Sequence, residues 1–112
     1  MPGIAKTYLV SEIESASVGD YIKVLGKVVE ISRDVQNELL LVTLLWEGAE
    51  IGVRIFDVPT GFVDAVLQSI EVGDYVVVLG YYKSWNDERY ILATGINKIS
   101  EKAVQYYLAR RA

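Results

Sequence analysis

The chain has 112 residues, 52% of them hydrophobic, with 15 carboxylates against 11 basic side chains and a net charge of −4. That length fits one domain with one packed core, and the composition excludes a disordered chain. With no cysteine and no histidine, disulfides, Cys/His zinc sites, thiol nucleophiles and histidine acid–base chemistry are excluded.

In chain order, "KTYLVSEIESASVGD" leads in, with Tyr8, Leu9 and Ile13 expected to form a short helical turn across one end of a barrel. "DYIKVLGKVVEISRD" reads as a long strand. Ile22 and Val24 share one face and Val29 and Ile31 the other parity, so the alternation slips once, and Gly26 is the expected place for the extra residue. A long strand bent in this way serves two sheets and turns a barrel corner. "VQNE" reads as a loop, "LLLVTLLW" as a strand partly covered on both faces, and "EGAE" as a hairpin turn. In "IGVRIFD", Ile51, Val53 and Ile55 alternate with Gly52, Arg54 and Phe56.

A short helix is predicted from Thr60 or Gly61, with Phe62, Val63, Val66, Leu67 and Ile70 as its apolar stripe. The strand "YVVVLGYYK", a loop "SWNDE" and the strand "RYILATGINKI", broken near Gly95, follow. Ser100 is placed to cap a last helix whose stripe is Ala103, Val104, Tyr107 and Leu108. The longest apolar run, Leu39 to Trp46, is well short of the ~20 residues that cross a bilayer. No signal pattern opens the chain, so a cytoplasmic, nucleoid-associated protein (nuclear in a eukaryote) is expected. Few sulfur and amide side chains point to a thermophilic source.

Five strands with a helix between the third and fourth predict an all-β OB-type Greek-key barrel with added helices. The expected divisions are a lead-in over 1–17, the barrel over 18–99 and a C-terminal helix over 100–112. A small SH3-like barrel is the alternative, and the inner helix argues against it.

"VGDYIKVLGKV" from Val18 and "VGDYVVVLGYY" from Val72 agree at seven of eleven positions. They head the first and fourth strands, which neighbour each other in such a barrel, so the repeat is expected to solve one closure problem twice. Gly26 and Gly80 fall where a bend or close approach is needed. With Val76 and Val78 inward, Tyr75, Val77, Leu79 and Tyr81 form an apolar outer stripe, to be covered by the C-terminal helix or by a partner.

The stretch "EGAEIGVRIFDVPTGFVDAVLQSIEVGDYVVVLGYYKSWNDERYILATGINKIS" resembles the second half of an OB-fold single-strand-binding module, and "VGDYIKVLGKVVEI" resembles its first strand. The likeness is to the small and middle subunits of replication protein A and their telomere-capping relatives, particularly archaeal forms. In that family a helix after the barrel assembles subunits. The resemblance therefore implies OB-fold partner subunits joined through "SEKAVQYYLARRA", with Val104, Tyr107 and Leu108 as contacts.

Such modules bind with the face of the second and third strands and the loops after the first and fourth. Here those places carry Arg54 and Phe56, Trp46, Arg33, and then Lys83, Trp85 and Arg89. Aromatics stack bases and cations track phosphates. Trp46 reads equally as a barrel-end packing residue, whereas Trp85 stands in a polar stretch with no core to join. Asp34, Glu38, Asp87 and Glu88 oppose phosphate in the same loops. The pairs Glu12/Glu14 and Glu47/Glu50 read as solvated surface. No nucleophile–base set, metal site or cofactor site is found, so no enzyme activity is expected. The function expected is a subunit of a single-stranded DNA-binding assembly in replication or repair. An RNA-binding module and a protein-gripping scaffold are the alternatives.

Overall fold

Each copy of the repeat opens with a glycine at positive φ, 100° at Gly19 and 101° at Gly73, in the computed structural model, which describes residues 5–111. Residues 1–4 and 112 of the expected lead-in and closing helix lie outside the described residues. The next residue closes each turn. The Ser17 amide donates to Asp20 Oδ2 at 3.1 Å, and the Glu71 amide donates to Asp74 Oδ2 at 2.9 Å. An aspartate that bonds its own turn spares those amides from facing solvent unpaired.

The elements are β1 (Lys6–Leu9), a 3₁₀ helix (Val10–Ser15), β2 (Tyr21–Asp34), β3 (Leu39–Trp46), β4 (Ala49–Phe56), α1 (Phe62–Ser69), β5 (Tyr75–Trp85), β6 (Glu88–Ile99) and α2 (Glu101–Arg111). The strands run β1-β2-β3-β4-β6-β5, and β5 returns to pair with β2, so β2 to β6 close a five-stranded barrel. β2 manages both neighbours through its length: Tyr21 to Lys27 pair with β5, and Lys27 to Asp34 pair with β3.

The two copies are antiparallel partners, from Tyr21 opposite Tyr81 to Lys27 opposite Tyr75. Each also seals the other's turn. The Gly19 amide donates to the Tyr82 carbonyl at 2.7 Å and the Tyr82 amide to the Asp20 carbonyl at 2.9 Å. At the other end the Gly73 amide donates to the Val28 carbonyl and the Val28 amide to the Asp74 carbonyl, both at 2.8 Å. Val28 and Tyr82 are the eleventh residues of their copies, so the repeat is a local two-fold pairing of one motif with itself.

Alternation builds the core. Val24, Leu40, Val42, Leu44, Val53, Ile55, Val76, Val78 and Ile91 are fully buried inside the barrel. Val10 and Ile13 of the 3₁₀ helix and Val63 and Val66 of α1 join the same cluster. α1 begins where Asp57 Oδ1 accepts the Gly61 and Val63 amides, both at 2.9 Å, satisfying donors a helix start leaves free. α2 begins where Ser100 Oγ accepts the Ala103 amide at 3.0 Å. Val104, only 1% exposed, seats α2 on Leu9 and Leu25, with Tyr75, Val77, Tyr107 and Leu108 around it.

The structure differs from the sequence expectations at five places. Tyr8 and Leu9 lie in a strand, β1, parallel to β2, and the helical turn starts only at Val10. Glu12 Oε1 accepts the Leu9 amide at 2.9 Å and marks that junction. The slip in β2 falls at Val29, between the pairs Val28–Leu44 and Glu30–Thr43, not at Gly26. Gly26 instead makes room, since a Cβ there would lie 2.7 Å from Val10 Cγ2 and 3.1 Å from Leu44 Cβ.

"SWNDE" is mostly strand, because Asn86 and Asp87, at φ 51° and 64°, turn the chain in two residues. The break in β6 is a bulge at Thr94: Leu79 pairs with Gly95 and Gly80 with Ala93. Ala103 is exposed rather than part of the docked stripe.

Candidate nucleic-acid interface

β4 alternates as its sequence requires. Ile51, Val53 and Ile55 are buried, which turns Arg54 and Phe56 outward, and Phe56 is 40% exposed. On β3, Leu41 lies opposite Arg54 and Leu39 opposite Phe56. On β6, buried Ile91 turns its neighbour Tyr90 outward. The Arg54 guanidinium carbon stands 3.9 Å from the Tyr90 ring centroid. Attraction to the ring's negative face fixes this cation at the sheet surface.

Two adjoining hollows share Leu41 and Arg54 and together form a groove across β3 and β4. One, of about 400 Å³, is walled by Phe56, Leu39, Asp34 and Asn37. The other, of about 280 Å³, is walled by Tyr90, Thr43, Glu30 and Glu88. Gly52 leaves its floor open, with no atom within 4 Å of where a Cβ would stand.

The groove's electrostatics are mixed. Asn37 Nδ2 donates to Asp34 Oδ2 at 2.8 Å and the Asn37 amide to Asp34 Oδ1 at 3.1 Å. These bonds hold the Asp34 carboxyl below its usual range, so it stays an anion at the groove's end. Glu30 and Glu88 add to it, against the single cation Arg54 among the wall residues. Phosphate attraction is therefore weak, and ring surface carries most of what the groove offers a ligand.

The expected site residues separate into groups. Arg54 and Phe56 stand together. Tyr90, which the sequence reading passed over, joins them; its outward parity beside Ile91 and Ala93 was the available signal. Lys83 is the cross-strand partner of Tyr90. Trp85, 63% exposed, ends β5 opposite the groove residue Glu88.

Arg33 turns elsewhere. The bulge at Val29 reverses parity, and Arg33 reaches Asp64 of α1 at 3.7 Å, beside another hollow with Asp57 and Thr60 that meets the groove only at Leu39. Arg89 shares a face with Tyr82, 5.8 Å from its ring centroid, on the opposite side of the hairpin from Tyr90. Trp46 lies at the far end of β3, packed on both core clusters and edge-on to Tyr75 at 6.2 Å.

Of the residues expected to meet a partner, Tyr75, Val77, Val104, Tyr107 and Leu108 pack against one another within this chain. Leu79 and Tyr81 lie outside that cluster, and Tyr81 is 41% exposed.

Comparison with protein-family models and with curated proteins finds no match. Among solved structures, a chain of the Stn1–Ten1 complex of S. pombe superposes with a TM-score of 0.69 at 15% identity, covering 81% of this chain and 66% of that one. A chain of a replication protein A heterotrimer bound to single-stranded DNA gives 0.64 at 21% identity, covering 88% and 72%. The OBody AM1L10, bound to hen egg-white lysozyme, gives 0.70 at 19% identity, covering 90% and 100%. The shared architecture is the OB fold, here with an added parallel strand and a C-terminal helix.

Proposed function

We propose that this chain is a non-catalytic OB-fold subunit of an assembly that binds single-stranded DNA, and that the groove across β3 and β4 is its contact surface. The observation that carries the reading is the Arg54–Tyr90 stack beside the exposed ring of Phe56. A base stacks on Phe56, and the Arg54 cation, already held in place, meets the adjoining phosphate. The likeness to chains of the Stn1–Ten1 complex and of a replication protein A heterotrimer bound to single-stranded DNA supports the same reading. The acidic residues in the groove make the isolated chain a weak binder, and a companion subunit supplies the remaining affinity.

Anisotropy of labelled oligo-dT at low salt tests this. Phe56→Ala is expected to weaken binding by roughly 5- to 150-fold, the worth of one stacked base, and Tyr90→Ala, which releases Arg54, by less. Absence of binding by the wild-type chain at low salt, alone or with a co-purified partner, would overturn the proposal. A second reading, a barrel that grips protein, is favoured by the acidic walls and by the OBody bound to lysozyme. It predicts that oligo-dT does not compete with the partner.

A further inference from the structure

The outer surface of β2 and β5 divides in two. α2 covers the half around Leu25, Tyr75 and Val77. The half that holds Tyr21, Lys23, Leu79 and Tyr81 is outside that cover, with Tyr21 and Tyr81 at 40% and 41% exposure. These two rings meet at 4.8 Å between centroids and 53° between planes. The Tyr21 hydroxyl is bonded to Thr94 Oγ1 at 2.8 Å, and Thr94 Oγ1 donates to the Leu79 carbonyl at 3.2 Å. Thr94 is the bulged residue of β6, so the bulge pins one ring and that ring supports the other. Lys83 Nζ stands 5.6 Å from the Tyr81 centroid. Rings held in place this way lose little freedom when a flat ligand stacks on them.

Charge sets this surface apart from the groove. In a chain with 15 carboxylates, the outward strand positions Tyr21, Lys23, Leu79, Tyr81 and Lys83 include two cations and no acid. The nearest carboxylates in sequence are Asp20, bonded to the Ser17 amide, and Asp87 and Glu88 at the hairpin tip. The surface is also continuous with the groove. Arg54 pairs with Leu92, Leu92 with Tyr81, and Tyr81 with Tyr21, in one cross-strand row. That row spans about 14 Å along the sheet.

We propose that Tyr21, Tyr81, Lys23 and Lys83 form a second single-strand platform, which takes the length of DNA that leaves the groove over Arg54 and Leu92. Bases stack on the two tyrosines, and the lysines meet the phosphates on either side. The inference rests on the groove reading, and its test separates the two.

Anisotropy is measured with oligo-dT of about 6 nucleotides, which the groove alone holds, and of about 16, which reaches the platform, the range OB folds occupy. Tyr81→Ala and Lys23→Glu are expected to weaken the longer oligonucleotide by about tenfold and leave the shorter one unchanged. Tyr81→Phe, which keeps the ring, restores wild-type binding. Phe56→Ala weakens both lengths. If Tyr81→Ala and Lys23→Glu spare the longer oligonucleotide while Phe56→Ala still weakens both, the platform is refuted and the groove stands. Equal weakening of both lengths by Tyr81→Ala also refutes it, and absence of binding of both lengths to the wild-type chain at low salt, alone or with a co-purified partner, refutes both proposals.

Discussion

The segments Val18–Val28 and Val72–Tyr82 share one turn, one strand geometry and one pairing, yet they end in different surroundings. Leu25 is 2% exposed beneath α2, while its counterpart Leu79 is partly exposed. Tyr75 packs edge-on to Trp46, while its counterpart Tyr21 stands at the surface against Tyr81. Gly26 faces the side chains of Val10 and Leu44, while Gly80 faces the backbone of Leu92 and Ala93. The positions that agree carry the backbone problem common to both strands. The neighbours that differ, α2 above all, decide which end of each copy is packed: the later part of the first and the start of the second.

Alanine at the two glycines breaks the pairing most unevenly. A Cβ at Gly80 would overlap the Leu92 carbonyl oxygen, and backbone in a closed barrel cannot withdraw. Gly80→Ala is expected to cost on the order of 3 kcal/mol or more in urea denaturation. Next comes Val104→Ala, which loosens α2 and makes the covered half resemble the open one. It removes two buried methyl groups, a loss of about 2 kcal/mol, and raises hydrogen exchange in α2 before the barrel.

Gly26→Ala meets Val10 Cγ2 and Leu44 Cβ rather than a carbonyl oxygen and is expected to cost less than Gly80→Ala, about 1 kcal/mol. The turn aspartates differ least. Asp20→Ala and Asp74→Ala each remove a turn hydrogen bond worth about 1 kcal/mol. Asp74 is slightly the costlier of the two, because Lys98 also reaches it at 3.4 Å. Equal losses at Gly26 and Gly80 would contradict the account of why the copies differ.

Much of this is legible in the sequence, and the rest is hidden for identifiable reasons. Strict alternation in "IGVRIFD" and "YVVVLGYY" put Arg54, Phe56 and Tyr81 outside and Val76 and Val78 inside, as found. The adjacency of the two copies followed from strand order. β1 escaped because "KTYL" is too short to show a period, and its strand state comes from pairing with β2.

The bulge was assigned to the residue that usually hosts one, Gly26, whereas that glycine was needed for the approach of Val10. Arg33, expected in a loop, lies within β2 opposite buried Leu40 and so turns toward Asp64 of α1, a consequence visible only once the register was known. Tyr90 was overlooked because its partner, Arg54, is far away in sequence and meets it only across the parallel β4–β6 pairing.

We propose that the groove built by Arg54, Phe56 and Tyr90 receives a single strand. Titrating the ¹⁵N-labelled chain with oligo-dT of about 6 nucleotides and following amide and aromatic resonances tests it directly. The largest shifts are expected at Leu41, Arg54, Phe56 and Tyr90, with α2 unmoved. Shifts confined to α2 and its contacts, or no shifts at low salt, would contradict it.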